Sequence, residues 1–164
     1  TVEIGGRTGT VKMLDLFGTE LATPDNLKVV LPNGKVFGDV IVNTSYHSRR
    51  RVDAVFRVDT KRDIPALLTG LKARAEANPL VLKDPAPSVE VTGVSEAFVE
   101  GAVRAWVEAG DFGVVKGDLL LAARLLADGA DEALPPLPKA HVKGPPAPRK
   151  KRPSIRDRLK PPNE

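Results

Sequence analysis

The chain contains no cysteine, which excludes disulfides, thiolate metal sites and thiol nucleophiles. Its two histidines, His47 and His141, each stand alone, so no metal-ligand spacing is present. Aromatic residues make up only 4%, too few for the aromatic and basic stripe of an RNA-binding sheet. No apolar run approaches the roughly 18 residues that a membrane helix needs. The longest, Leu119 to Leu126, is short and carries Arg124. No secretory signal is legible after Thr1, where the residues read as a strand, and there is no initiator Met. The chain is therefore expected to be an excised piece of a longer protein.

What is present is a soluble-type composition, 41% hydrophobic and 28% charged over 164 residues, enough for one ordinary domain or two small ones. The charge is divided unevenly. Lys139 to Glu164 carries nine Lys/Arg against two Asp/Glu, whereas the preceding residues carry 16 against 19. The basic character thus belongs to a tail, and the rest is mildly acidic, without the basic face of a nucleic-acid binder.

Three segments follow from the patterning. Residues 1–48 are rich in Gly, Thr and Val. Short alternating runs fall at Val2 to Ile4, Thr10 to Phe17, Thr19 to Thr23, Lys28 to Leu31 and Val40 to Val42. Gly5-Gly6, Pro24-Asp25-Asn26 and Pro32-Asn33-Gly34 are read as breaks between them. Five short strands with tight turns predict a small β-barrel of SH3 or Sm shape. Gly38 opens the last run, and a positive φ or a close backbone neighbour is expected there.

Residues 49–138 read as a β-α-β-β-α order. Val52, Ala54, Phe56 and Val58 alternate with charged residues, as on a half-buried strand. Asp63 is placed to cap a helix whose stripe is Ile64, Leu67, Leu68 and Leu71, ending near Asn78-Pro79. Ser88 to Ser95 and Phe98 to Glu108 alternate again. Asp111 is placed to cap a second helix, with Val115, Leu119, Ala122 and Leu126 inward and Gly129 as its C-cap. A weak last strand near Leu134 to Leu137 would complete a ferredoxin-like β-α-β-β-α-β domain. Residues 139–164 form the third segment, a proline-rich basic tail with the composition of disorder. Overall, an α+β chain is expected, a small SH3/Sm-like β-barrel followed by a ferredoxin-like domain and a disordered tail.

No catalytic constellation emerges. Ser45, His47 and Asp39 lack the Gly-x-Ser-x-Gly frame of a nucleophile elbow. Gly5-Gly6-x-x-Gly9 lacks the spacing and following helix of a phosphate loop. Asn43-Thr44-Ser45 fits a glycosylation triplet without a secretory context. Neither an enzyme nor a cofactor is expected.

The informative run is Leu31-Pro32-Asn33-Gly34-Lys35-Val36-Phe37-Gly38-Asp39-Val40-Ile41-Val42-Asn43-Thr44-Ser45. It resembles a stretch of the small-conductance mechanosensitive channel (MscS) family, in which Pro-Asn-Gly-Lys precedes a Gly and then Ile-x-Asn-x-Ser. The motif positions here are Pro32, Asn33, Gly34, Lys35, Gly38, Asn43 and Ser45. Gly5-Gly6 with Gly9-Thr10-Val11 resembles the family's entry into its middle β-domain, and Arg50-Arg51-Val52 the start of its α/β-domain. Val81-Leu82-Lys83-Asp84-Pro85 and Val103-Arg104-Ala105-Trp106-Val107 resemble two further segments. The five matches lie in order over roughly residues 3 to 109. The family's closing Gly-Ile-x-x-Pro-x-Pro stretch has no good counterpart after Gly129, where prolines remove backbone donors.

The resemblance implies a role. Upstream helices would lie in a bacterial inner membrane, the last lining a pore. This region would build a hollow cytoplasmic vestibule with side portals, as a homo-oligomer of seven subunits. Ions and small osmolytes would leave when membrane tension rises. Trp106, on a strand face opposite the helices, is a candidate subunit contact. Arg49, Arg50 and Arg51 are candidates for a vestibule or portal lining. Arg149 to Arg152 would touch anionic lipid or remain solvated. The rival reading is a nucleic-acid-binding module with Sm-like and ferredoxin-like domains, which the low aromatic content opposes.

Overall fold

The computed structural model describes residues 1–129 and 134–139. The chain is a mixed α+β protein whose strands pair only antiparallel among those residues.

The first sheet uses β1 (Val2–Ile4), β2 (Arg7–Leu14), β3 (Gly18–Ala22), β4 (Lys28–Pro32) and β5 (Ile41–Asn43), in the spatial order β4-β3-β2-β1-β5. The β1–β2 turn places Ile4 opposite Arg7, so only Gly5 and Gly6 remain between the strands. Both have positive φ, 56° and 71°, as the primed hairpin turn that matches strand twist demands. A bulge between Val11 and Met13 bends β2 while it pairs with β3. Few large side chains are enclosed: Val2, Ile4, Leu21 and Leu31, with Val29 and Val36 partly covered.

Two expectations fail in this sheet. Asn33–Phe37 is not a simple break but a one-turn helix, α1. Five residues are too few to show helical periodicity, and Pro-Asn-Gly carries turn chemistry. Gly38 is the C-cap of α1 with φ −89°, and an added Cβ would come no closer than 3.6 Å to another backbone. Neither positive φ nor a close neighbour explains that glycine.

The second sheet has the order β6-β8-β7, from β6 (Arg49–Asp59), β7 (Ser88–Val94) and β8 (Phe98–Glu108). Two helices, α2 (Ile64–Ala77) and α3 (Phe112–Ala127), cover one face. Strand alternation explains which face: Val52, Ala54, Phe56 and Val58 point inward from β6, and Val103, Ala105 and Val107 from β8. Leu67, Leu71, Val115 and Leu119 meet them from the helices. Gly101 is required by packing, since a Cβ there would fall 2.4 Å from Phe56 Cζ and 2.8 Å from the Glu90 carbonyl oxygen.

The caps divide. Asp63 accepts a hydrogen bond from Ala66 N at 2.9 Å and starts α2 as expected. Asp111 stands at the N-cap of α3 but makes no capping bond, because Ala109–Asp111 is a 3₁₀ turn leading into that helix. Gly129, φ 72°, follows α3 and donates to the Leu126 carbonyl.

The expected last strand does not form. Residues 134–139 carry no regular structure, although Leu134 packs against the second core. Pro135, Pro136 and Pro138 explain this, because three of six residues cannot donate to a ladder. The β6 edge away from β8 has no partner strand among the described residues. The expectations for residues 140–164 lie outside the described residues.

Candidate functional site

The motif residues cluster as turn makers around α1. Asn33 does most. Its Nδ2 donates to the carbonyls of Asp15 and Leu16 at 2.8 and 3.1 Å, and its Oδ1 accepts from the buried Thr19 hydroxyl at 3.0 Å. Its backbone N–H donates to the Phe17 carbonyl. One side chain at the start of α1 thereby fixes the β2–β3 turn. Within that turn, Asp15 Oδ1 accepts from the N–H groups of Phe17 and Gly18, at 2.8 and 2.7 Å. The Gly18 bond and then the Phe17 bond hold the Asp15 carboxyl below its ordinary range. Asn43 similarly accepts from the backbone N–H and hydroxyl of Ser45 as the chain leaves β5.

The tight turn drives Leu16 and Phe17 outward, with Phe37 and Val40 exposed near α1. Large apolar side chains thus stand in solvent on a sheet with a very small core. Exposed apolar surface of this extent marks interaction sites.

A second arrangement joins the two other sequence candidates. His47, Ser48, Arg49, Arg50, Arg51 and Trp106 line one open groove of about 530 Å³. The β6–β8 register is the cause: Arg51 stands opposite Trp106, and Arg49 opposite Glu108. Strand alternation separates the arginines. Arg50 turns toward the helices, its guanidinium 3.9 Å from the centre of the Phe112 ring, a cation–π contact. Arg51 forms a two-pronged pair with Asp53 at 2.9 and 3.1 Å. Arg49 has no hydrogen-bond or ion-pair partner among the described residues. Trp106 is half-buried on the face away from the helices, as its alternation with Val107 predicts.

The rest of that face is a lattice of exposed ion pairs. Arg104 pairs with Glu90 and lies 3.8 Å from Asp53; Arg57 pairs with Glu100 and covers the Phe98 ring. A nucleic-acid reader would need stacking aromatics and unpaired cations there.

The sequence reading missed one polar network. Arg74 on α2 forms a buried pair with Asp118 on α3, with Nε 3.3 Å from Oδ2. Asn78, 2% exposed, donates Nδ2 to the same oxygen at 3.0 Å and accepts from Leu80 N. The signal was available: Asp118 falls three residues after Val115 and four before Ala122, inside the buried stripe.

No grouping suited to a metal occurs among the described residues. Ser45 bonds Asn43, while the His47 ring packs edge-on against Tyr46 at 4.9 Å. No helix among those residues is long and apolar enough to cross a membrane.

Comparison with known proteins agrees with the motif reading. Residues 1–46 match the family model described as the β-domain of mechanosensitive ion channels. The small-conductance mechanosensitive channel of Edwardsiella ictaluri is 32% identical over 119 residues, covering 73% of this chain and 42% of that protein. An uncharacterised MscS family protein of Synechocystis is 28% identical over 134 residues, covering 82% and 45%. The chain thus spans less than half the length of these relatives. Among solved structures, closed-state Helicobacter pylori MscS shares the fold with a TM-score of 0.68 at 24% identity, covering 88% of this chain and 58% of the other. Arabidopsis thaliana MSL1 gives 0.60 at 23% identity, covering 75% and 47%. The ordered motifs, the β-domain match and the similar relatives agree: the chain belongs to the MscS family of mechanosensitive ion channels and corresponds to part of its C-terminal region.

Proposed function

We propose that this chain is the cytoplasmic vestibule portion of a channel subunit that releases ions and small osmolytes when membrane tension rises. It does no chemistry of its own. The first sheet is the middle β-domain, residues 1–48, an Sm-like barrel whose strand order β4-β3-β2-β1-β5 suits that shape. Residues 49–138 are the α/β-domain. Its order β6-β8-β7 under two helices is a ferredoxin-like plan without the strand that would flank β6.

The observation that carries the reading is the mismatch between core and surface in the first sheet. Four buried apolar residues support it, while Leu14, Leu16, Phe17, Phe37 and Val40 are mostly exposed. A sheet of this size with so small a core needs covering partners. Copies of the same chain supply them most simply, because β4 and β5 are the two edges of the sheet among the described residues. Contacts between unlike edges are head-to-tail, and they close into a ring when the rotation between neighbouring copies divides a full turn. Seven copies is the number that family resemblance implies. Upstream helices would hold the ring beneath a bacterial inner membrane. The groove at Arg49–Arg51 is then a segment of the portal wall.

The test uses the full-length parent in bacteria stripped of their own tension-gated channels. Wild type restores survival of a sudden drop in osmolarity and gives pressure-activated currents in excised patches. Correct membrane insertion with neither currents nor rescue refutes the channel role. Trp106→Ala in the same parent separates two roles for that residue. A subunit contact loses assembly in detergent, since truncating a buried interface aromatic costs about 2 kcal/mol or more. A groove-lining residue leaves assembly intact.

A further inference from the structure

The groove has a composition that a portal wall does not require. A wall that biases ion passage needs charge alone. Here the register sets an indole opposite one guanidinium and diagonal to another, a spacing at which side chains on one sheet face reach each other. Trp106 is also the chain's only tryptophan, placed in a face otherwise built from ion pairs.

We propose that Arg49, Arg51 and Trp106 bind small organic anions carrying a flat conjugated ring, the class to which nucleoside phosphates belong. The half-buried indole supplies a stacking surface, and bases of every kind stack on aromatic side chains. Arg49 supplies a guanidinium with no hydrogen-bond or ion-pair partner among the described residues. Arg51 uses two N–H groups on Asp53 and retains three of its five donors, in an orientation that the Asp53 fork already fixes. Arg50 is held against Phe112 and contributes field rather than contact. Asp53 and Glu108 lie on the same face as Arg49 and Arg51, while Arg50, at the groove margin, adds its positive charge to the field. Its volume of about 530 Å³ falls within the size range of small-molecule sites. Its openness makes binding weak and suits a solute present at high concentration. The proposal needs only the groove and stands or falls apart from the conducting role.

The single tryptophan makes the test direct, because the full chain gives one indole Nε1–H resonance. Adenosine 5′-monophosphate, adenosine and inorganic phosphate are titrated separately into ¹⁵N-labelled protein. The monophosphate shifts that resonance along a saturating curve with a midpoint of about 1 mM. Adenosine and phosphate each bind at least about tenfold more weakly, since each keeps one of the two recognition elements. Arg49→Gln, at an exposed position, raises the monophosphate midpoint about fivefold or more and leaves adenosine unchanged. Arg124→Gln, on the solvent side of α3, changes neither. A linear response to roughly 20 mM, or an Arg49→Gln midpoint equal to wild type, overturns the proposal. A phosphate response as strong as that of the monophosphate also overturns it, leaving an adventitious ion only.

Discussion

Asp118→Ala tests how the two helices are held to the second sheet. At the 3.3 Å between Arg74 Nε and Asp118 Oδ2, unit charges attract by about 5 kcal/mol at an effective dielectric of about 20. Desolvation of both groups offsets most of this, because their side chains are only 10% and 5% exposed. The offset no longer applies once one partner is removed. Alanine at 118 leaves the Arg74 guanidinium buried without its counter-charge and takes the acceptor from Asn78. A loss of about 3–5 kcal/mol is expected, a large part of the total stability of an ordinary domain, about 5–15 kcal/mol. Replacing both charges, Arg74→Met with Asp118→Leu, is expected to recover most of it, since a packed apolar pair avoids the desolvation. The assay is urea unfolding of the full chain followed by Trp106 fluorescence, which reports the second sheet alone. A loss below about 1 kcal/mol for Asp118→Ala, or additive effects of Arg74→Met and Asp118→Leu in a double-mutant cycle, refutes the reasoning.

Three further outcomes are expected. Asn33→Ala removes both donors to the Asp15–Leu16 carbonyls and the acceptor of the buried Thr19 hydroxyl; a cost of about 1–3 kcal/mol and faster amide exchange at Phe17 and Gly18 are expected, and unchanged exchange would contradict the turn-locking role. Gly113→Ala and Gly117→Ala face open space on exposed turns of α3, so each should raise stability by up to about 1 kcal/mol, read as a higher urea midpoint, and a lower midpoint would show that something covers that face. Asp15 bonds the Gly18 and Phe17 amides in its charged form and its folded pKa is lowered from 3.8, so this local stabilisation is present above that value and lost as pH falls through the depressed folded pKa; the Phe17 and Gly18 amide shifts should inflect below 3.8 and go flat in Asp15→Asn, whereas an inflection at or above it refutes the assignment.

Much of the second sheet was legible because its elements are long enough to show a period. β6 alternates over eleven residues, and α2 and α3 repeat their stripes over several turns. The side of the sheet bearing Trp106 followed from alternation alone. Short or long-range features resisted. α1 is one turn, and its Asn33 works through partners 14 to 18 residues away. Gly38 carries no structural demand visible in its backbone or surroundings. The three arginines read as one charge run, yet the pleat sends Arg50 to the helices and leaves Arg49 and Arg51 outside. Arg74 and Asp118 lie 44 residues apart, and only the helix packing brings them together.

The two hydrophobic clusters share no residue, and under the proposed assembly this makes part of the chain's stability a matter of mass action. The second sheet carries its own enclosed core, so its melting temperature should not depend on how much protein is present. The first sheet encloses only four apolar residues of its own, and if copies of the chain cover it as proposed, each dilution removes part of that cover. Heating the chain should therefore give two transitions. The lower one, from the β-domain, should climb with protein concentration while the upper one stays fixed. The part of the subunit with the smaller core of its own is also the part that lies nearest in sequence to where the membrane helices are proposed to end.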